Sequence, residues 1–295
     1  MSAAAPAHAR SFAFAVGSDT VRVALHETDY ASGGLGWRVW GAARLLSRQI
    51  AEEPSVASGQ RVLELGAGCG LCGLLCARLG ATSVTLTDAL PGLLDTLAAS
   101  ARLQSTAADT AAPWSWRAEQ CLIHVRRFLW EDDVLACADA PAEAEKQVSG
   151  CRALSPADDP RSLLANQLRK ATLEAGAAPA LPVGLHYDTV LASDVLYDWG
   201  QRVPLPRVLK LRIAPGGRAL LVLPIRDKTL LDAFVLQLTR EGLAWRAAPS
   251  AGAGALSTRD SDDLFAEGGE TEPMATVDVR VWHPHAPPPE EQHRA

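Results

Sequence analysis

The chain has 295 residues, 48% of them hydrophobic, which is enough to bury a sizeable core within one large domain. A formal net charge of −6 without any long Lys/Arg cluster argues against broad contact with nucleic-acid backbone. No apolar run reaches the ~20 residues of a membrane span, so no membrane partner is expected.

Met1–Arg10 is small and Ala-rich and lacks the apolar centre of a secretory signal. Strand-like residues from Phe12 onward leave little room for a transit peptide. Of the six cysteines, Cys69, Cys72 and Cys76 fall close together, unlike a disulfide framework; Cys121, Cys137 and Cys151 are scattered. A reducing, cytoplasmic setting and a monomer are the expectation. The Cys69-x-x-Cys72-x-x-x-Cys76 spacing lacks a fourth iron–sulfur ligand and reads as small residues on a packed helix.

Ser11–Val16 and Thr20–His26 are β-prone runs around Gly17-Ser18-Asp19, a hairpin pattern. After Gly33-Gly34-Leu35-Gly36 and Trp37-Arg38-Val39-Trp40, a helix through Arg48 sets Ala42, Leu45, Leu46 and Ile50 on one face. Strands and helices then alternate: strand 61–65, helix 71–79, strand 83–87, helix 91–103, strand 121–127. Such alternation predicts a parallel sheet with right-handed crossovers. Two stretches interrupt it, 105–119 and 135–184, and read as insertions because connections in such folds take ~2–6 residues. The second carries a helical patch around 161–173. Order resumes at Tyr187–Ala192, followed by a helix over Val203–Leu211, a strand over Arg218–Pro224 and a helix over Lys228–Glu241. The segments 243–246 and 275–282 would close the sheet as a hairpin, and the tail over 284–295 reads as disordered.

The most informative segment is Val62-Leu63-Glu64-Leu65-Gly66-Ala67-Gly68-Cys69-Gly70-Leu71, an apolar strand ending in an acid and an alternating glycine turn. Bare backbone there admits a ligand, and the following helix offers unpaired N–H groups. Gly68–Gly73 spells G-x-G-x-x-G with Asp88 twenty residues after Gly68, as in dinucleotide-binding proteins. In register with the strand, however, the first glycine is Gly66, which puts Leu71 at the third position, where it would hold the helix off the sheet. Glu64 at the strand end suits a ligand carrying positive charge and would repel a pyrophosphate. Asp88, ending the next strand, can accept hydrogen bonds from both ribose hydroxyls of an adenosine, or cap the helix that opens at Pro91.

Further motifs narrow the reading: Val39-Trp40-Gly41-Ala42-Ala43, Glu64-Leu65-Gly66-Ala67-Gly68, Phe128-Leu129-Trp130 and Asp194-Val195-Leu196-Tyr197, in that order. With them the chain resembles the seven-stranded class I S-adenosylmethionine-dependent methyltransferases. Within that class it is similar to the protein-lysine methyltransferase branch, methyltransferase family 16. Gly41 stands where that branch often has Pro, and Glu131 departs from its pattern after Trp130. The resemblance covers roughly 12–224, apart from the two insertions.

It implies one α/β domain, a doubly wound, mostly parallel seven-stranded Rossmann-like sheet with an N-terminal β-hairpin and helix. It also implies that S-adenosylmethionine is the cofactor and a protein the substrate, most simply through a lysine. Trp40 would line the methionine end of the pocket and Trp130 the adenine. Glu64, Gly66, Ala67, Gly68, Gly70 and Asp88 would complete the cofactor site, with Ser193 touching it. Asp194 and Tyr197 would face the methyl acceptor as the residues of the transfer step. Other acceptors (protein His or Arg, a small-molecule amine) and an inactive cofactor-binding module stay open. No metal site is expected: His283-x-His285 lies in the tail without carboxylate partners. The G-x-S-x-G turn of hydrolases is absent.

Overall fold

The computed structural model describes residues 8–105, 114–130, 178–249 and 273–281. Cys137, Cys151, the helical patch expected at 161–173 and the tail from 284 lie outside them.

A two-stranded hairpin, β1 (His8–Val16) and β2 (Asp19–Glu27), stands apart from the main sheet. A single helical turn α1 (Tyr30–Gly33) and then α2 (Gly41–Glu52) lead into the alternating core. That core runs β3 (Arg61–Leu65), α3 (Leu71–Arg78), β4 (Ser83–Asp88), α4 (Pro91–Gln104), β5 (Ser115–Ala118) and β6 (Cys121–Arg127). It continues with β7 (Tyr187–Ser193), α5 (Pro204–Arg212), β8 (Ile213–Pro224), α6 (Lys228–Arg240), β9 (Leu243–Pro249) and β10 (Met274–Val281). Among the described residues the main sheet has eight strands in the order β5-β6-β4-β3-β7-β8-β10-β9. The five central strands β6, β4, β3, β7 and β8 are parallel; β10, β9 and β5 are antiparallel.

Seven strands were expected, and the eighth is β5, inside the stretch read as an insertion. Four residues after Pro113 are too few to show a period of two. Pairing with β6 and the burial of Trp116 under the Arg102 guanidinium, 5.2 Å from the ring, order it as an edge strand. β8 also begins earlier than Arg218, and its register with β7 shifts between the Tyr187–Ile213 and Thr189–Arg218 pairs.

Strand pleating sends alternate residues to opposite faces. Val62, Val84 and Leu86 face α2, α3, α4 and the hairpin; Leu63, Leu65, Val190 and Ala192 face α5 and α6. The two layers bury the sheet on both sides, which is why its strands read as continuous apolar runs. Cys69, Cys72, Cys76 and Cys121 are free thiols buried in the first layer, and burial raises the pKa of each.

The hairpin is anchored to α4: the Ser100 hydroxyl accepts from His26 N–H (2.9 Å) and the Gln104 amide donates to Ala24 O (2.5 Å). Glu27 holds the Arg10 guanidinium (3.3 Å) and accepts from Val39 N–H (2.9 Å), fixing the segment before α2 across the strand tips. β4 lies on one side of β3 and β7 on the other, so the chain reverses its progression across the sheet at β3. The crevice above the C-terminal ends of such strands is where open α/β sheets take their ligands.

Candidate functional site

A cleft of about 840 Å³ lies at that crevice, lined by the 66–71 turn, the tips of β4 and β7, Trp40, Trp130 and Arg226. Gly66, Gly68 and Gly70 have φ of +57°, +53° and +83°, the left-handed region that side chains disfavour. A Cβ on Gly66 would lie 3.0 Å from Val195 Cγ1 and 3.9 Å from Trp130 Cζ2; one on Gly68 would lie 3.2 Å from Gly36 O. The turn is closed by Ala67 N–H donating to Thr87 O (2.8 Å) and Gly70 N–H to Ala67 O (2.7 Å).

Asp88 sits half-buried beside this turn. Its Oδ2 accepts from Gly68 N–H (3.1 Å) and its Oδ1 from Ala89 N–H (2.7 Å) and Leu90 N–H (3.3 Å). Burial pushes its pKa up against these amides. Asp88 therefore braces the turn before α4 without capping that helix, whose N-cap is Leu90 with no side-chain cap bond, and it lines the cleft. A carboxylate has about four lone-pair sites, so acceptor capacity remains for a ligand hydroxyl.

Glu64 requires a correction. It is the fourth residue of a five-residue strand, so the pleat aims it at the helix layer and not into the opening. It is 1% exposed, does not line the cleft, and its Oε2 accepts from Gly73 N–H (2.8 Å). Gly70, the N-cap of α3, has no side chain, and Glu64 caps the helix in its place. Burial raises its pKa to about 7. The attraction for a positively charged ligand argued from this acid therefore has no direct contact behind it.

Leu71 also differs from expectation. It is buried against the cleft, and the close approach of α3 to the sheet is made at Gly73, where a Cβ would meet Leu86 Cδ2 at 2.4 Å.

Trp40 and Trp130 both line the cleft. The Trp40 indole N–H donates to Leu35 O (2.6 Å), and the Arg38 guanidinium lies 4.8 Å from its ring centroid. Trp130 packs against the α5/α6 layer.

Ser193, Asp194 and Tyr197 line the cleft at the tip of β7 and the loop that follows it. Asp194 has φ +55°, unusual for a residue with a side chain, and its N–H donates to Val222 O (3.0 Å). Its carboxylate is held by both Arg226 nitrogens, at 2.5 and 2.9 Å. Tyr197 is 50% exposed at the rim, so it is not a core residue. Gln201 Oε1 accepts from Tyr197 N–H (2.9 Å) and Asp198 N–H (3.0 Å), and Asp198 caps the following turn through Gly200 N–H (2.6 Å). These bonds fix the loop that presents Tyr197.

All the residues singled out from the sequence except Glu64 line this cleft: Trp40, Gly66, Ala67, Gly68, Gly70, Asp88, Trp130, Ser193, Asp194 and Tyr197. Arg226, Gln201 and Arg38 line it too and were missed. Arg226 follows directly on β8, and its place at a strand end was the signal available.

Residues 19–127 match the family model described as lysine methyltransferase. A protein N-terminal and lysine N-methyltransferase of Cryptococcus neoformans var. neoformans serotype D is 43% identical over 63 residues, 21% of this chain and 21% of that protein. A protein N-lysine methyltransferase of Danio rerio is 37% identical over 86 residues, 29% of this chain and 38% of the relative. A protein-lysine N-methyltransferase of Mus musculus is 25% identical over 224 residues, 74% of this chain and 52% of the relative. The alignments thus span between about a fifth and about a half of these relatives. A solved methyltransferase from Pyrococcus furiosus is 12% identical, with 80% of this chain and 81% of that chain covered and a TM-score of 0.43. The matched segment holds β2, the glycine turn and Asp88, whereas β1, Trp130, Ser193, Asp194, Tyr197 and Arg226 lie beyond it. Among the described residues no helix is long and apolar enough to cross a membrane, and no cluster of metal-ligating side chains occurs.

Proposed function

We propose that this chain is an S-adenosylmethionine-dependent N-methyltransferase that methylates a lysine side chain of another protein. The observation that carries the reading is that one cleft is lined by a side-chain-free turn with Asp88, read as the donor end, and by Asp194 with Tyr197, read as the acceptor end. The names of the Cryptococcus, zebrafish and mouse relatives point the same way.

The residues fit such a donor. The positive-φ glycines leave backbone that a nucleoside can lie against, where any Cβ would intrude. Asp88 supplies acceptor oxygens for ribose hydroxyls, and Trp130 an apolar wall for the adenine. Trp40, clamped by Leu35 O, closes the methionine end, and Ser193 offers a hydroxyl at the β7 tip. When bound, S-adenosylmethionine supplies an electrophilic methyl group on a sulfonium.

Methyl transfer is an in-line displacement, so the protein's contribution is alignment and charge placement. The acceptor nitrogen must present a lone pair, which a lysine ammonium (pKa ~10.4) lacks. Asp194 orients the amine by accepting its N–H, and Tyr197, exposed on a braced loop, walls the slot for the aliphatic stem. Both act as positioning groups.

The test is incubation with isotopically labelled S-adenosylmethionine and a cell lysate, followed by mass spectrometry. A lysine carrying one or more labelled methyl groups supports the proposal; label on another residue type, or no label at all, overturns the lysine reading.

A further inference from the structure

The acceptor end of the cleft holds an ion pair of which the methyl-transfer reading uses only the carboxylate. Asp194, 14% exposed in its side chain, is gripped by both terminal nitrogens of Arg226, 39% exposed. This fork-to-carboxylate geometry fixes orientation as well as charge. Arg226 is itself fixed in the chain: β8 ends at Pro224, and Asp227 caps α6 by accepting from Thr229 N–H (2.8 Å) and Leu230 N–H (3.3 Å). Asp194 is fixed by its left-handed backbone and the Val222 hydrogen bond. Two rigid strand ends thus hold the two halves of an ion pair against each other.

The consequence is electrostatic. Among the described residues, the charged side chains lining the cleft are Arg38, Asp88, Asp194 and Arg226, two of each sign. Asp198 and Asp227, nearest on the flanking loops, are committed to capping their own turns. The carboxylate that meets the acceptor is therefore neutralised by Arg226, which lines the same cleft, yet keeps lone pairs for an N–H donor. A bare carboxylate would bind an ammonium most tightly, which is the form that cannot react; a neutralised one removes that preference.

Resting on the reading of Ser193–Tyr197 as the acceptor end, we infer that Arg226 is a positioning residue: it holds Asp194 in a two-point ion pair so that the cleft takes its acceptor amine uncharged. Arg226 acts through Asp194 and does not touch the reacting atoms.

The probe is sinefungin, an S-adenosylhomocysteine analogue with a protonated primary amine in the position of the donor's methyl. Calorimetry measures its affinity relative to S-adenosylhomocysteine itself, which has no such amine. Arg226→Gln leaves Asp194 bare, and the preference for sinefungin rises about tenfold over the wild-type ratio. Arg226→Lys, which keeps the cation, stays within about threefold of the wild-type ratio. The double variant Asp194→Asn/Arg226→Gln returns to the wild-type ratio, because the two changes act through one pair. A merely structural role would move both ligands together and leave the ratio alone. An unmoved ratio in Arg226→Gln, or a shift that survives in the double variant, overturns this inference while the donor reading stands. Failure of the wild-type chain to bind either compound overturns both.

Discussion

The two ends that the proposed function assigns to the cleft are built from different materials. At the donor end the working surface is backbone: three positive-φ glycines between β3 and α3, with Asp88 bound to three amides around them. At the acceptor end it is side chains: Asp194 gripped by Arg226 and Tyr197 on a loop braced by Gln201. A backbone surface has one workable composition, so change there is all or nothing. A side-chain surface can be retuned by charge and size, which under the proposed function is how one acceptor would be told from another.

The largest effect should come from filling the donor end. Gly66→Val places a branched side chain at φ +57° against Val195, and S-adenosylhomocysteine affinity should fall at least about a hundredfold by calorimetry. Asp194→Ala should reduce label incorporation into lysate protein by about a hundredfold, with S-adenosylhomocysteine affinity within about threefold of wild type. If both variants lost donor binding equally, the division of the cleft into two ends would be wrong.

The third prediction concerns the acid beneath the turn. Glu64 titrates near 7 in the fold, above its ordinary value, so the folded state holds the proton more tightly than the unfolded chain. Its contribution is complete below pH ~4.5 and is lost as pH rises through about 7. Glu64→Gln imitates the protonated form and can still accept from Gly73 N–H. Its melting temperature relative to wild type should therefore climb by about 5 °C between pH 5 and pH 8. A gap that is constant with pH would contradict the burial of an ionisable Glu64. The smallest effect belongs to the sheet's far end. Arg61 pairs with Asp188 through two bonds (2.9 and 3.1 Å) but is 52% exposed, and Arg61→Ala should cost about 1 kcal/mol or less with unchanged donor binding.

The same contrast explains how much was legible in the sequence. The donor end was readable because glycine is a backbone statement: Gly66, Gly68 and Gly70 announce their own conformation, and strand alternation puts Asp88 beside them. The central strands themselves and the closing hairpin β9–β10 followed from apolar runs of ordinary length. Glu64 was placed at the right height and on the wrong face, since the side a residue takes depends on the pleat and on which layer covers it. β5 was too short to carry a pattern. Leu71 was judged by position in a motif, whereas the close contact that matters is made two residues later at Gly73. Arg226 belongs to no motif; only the fold brings the end of β8 beside the end of β7, 32 residues apart in sequence from Asp194.

The central claim is that the glycine turn and Asp88 hold an adenosyl donor, and calorimetric titration of S-adenosylhomocysteine tests it most directly. The account predicts one site per chain, affinity reduced about tenfold in Asp88→Asn, and no heat from NAD. No binding of S-adenosylhomocysteine, or equal binding by wild type and Asp88→Asn, would contradict it.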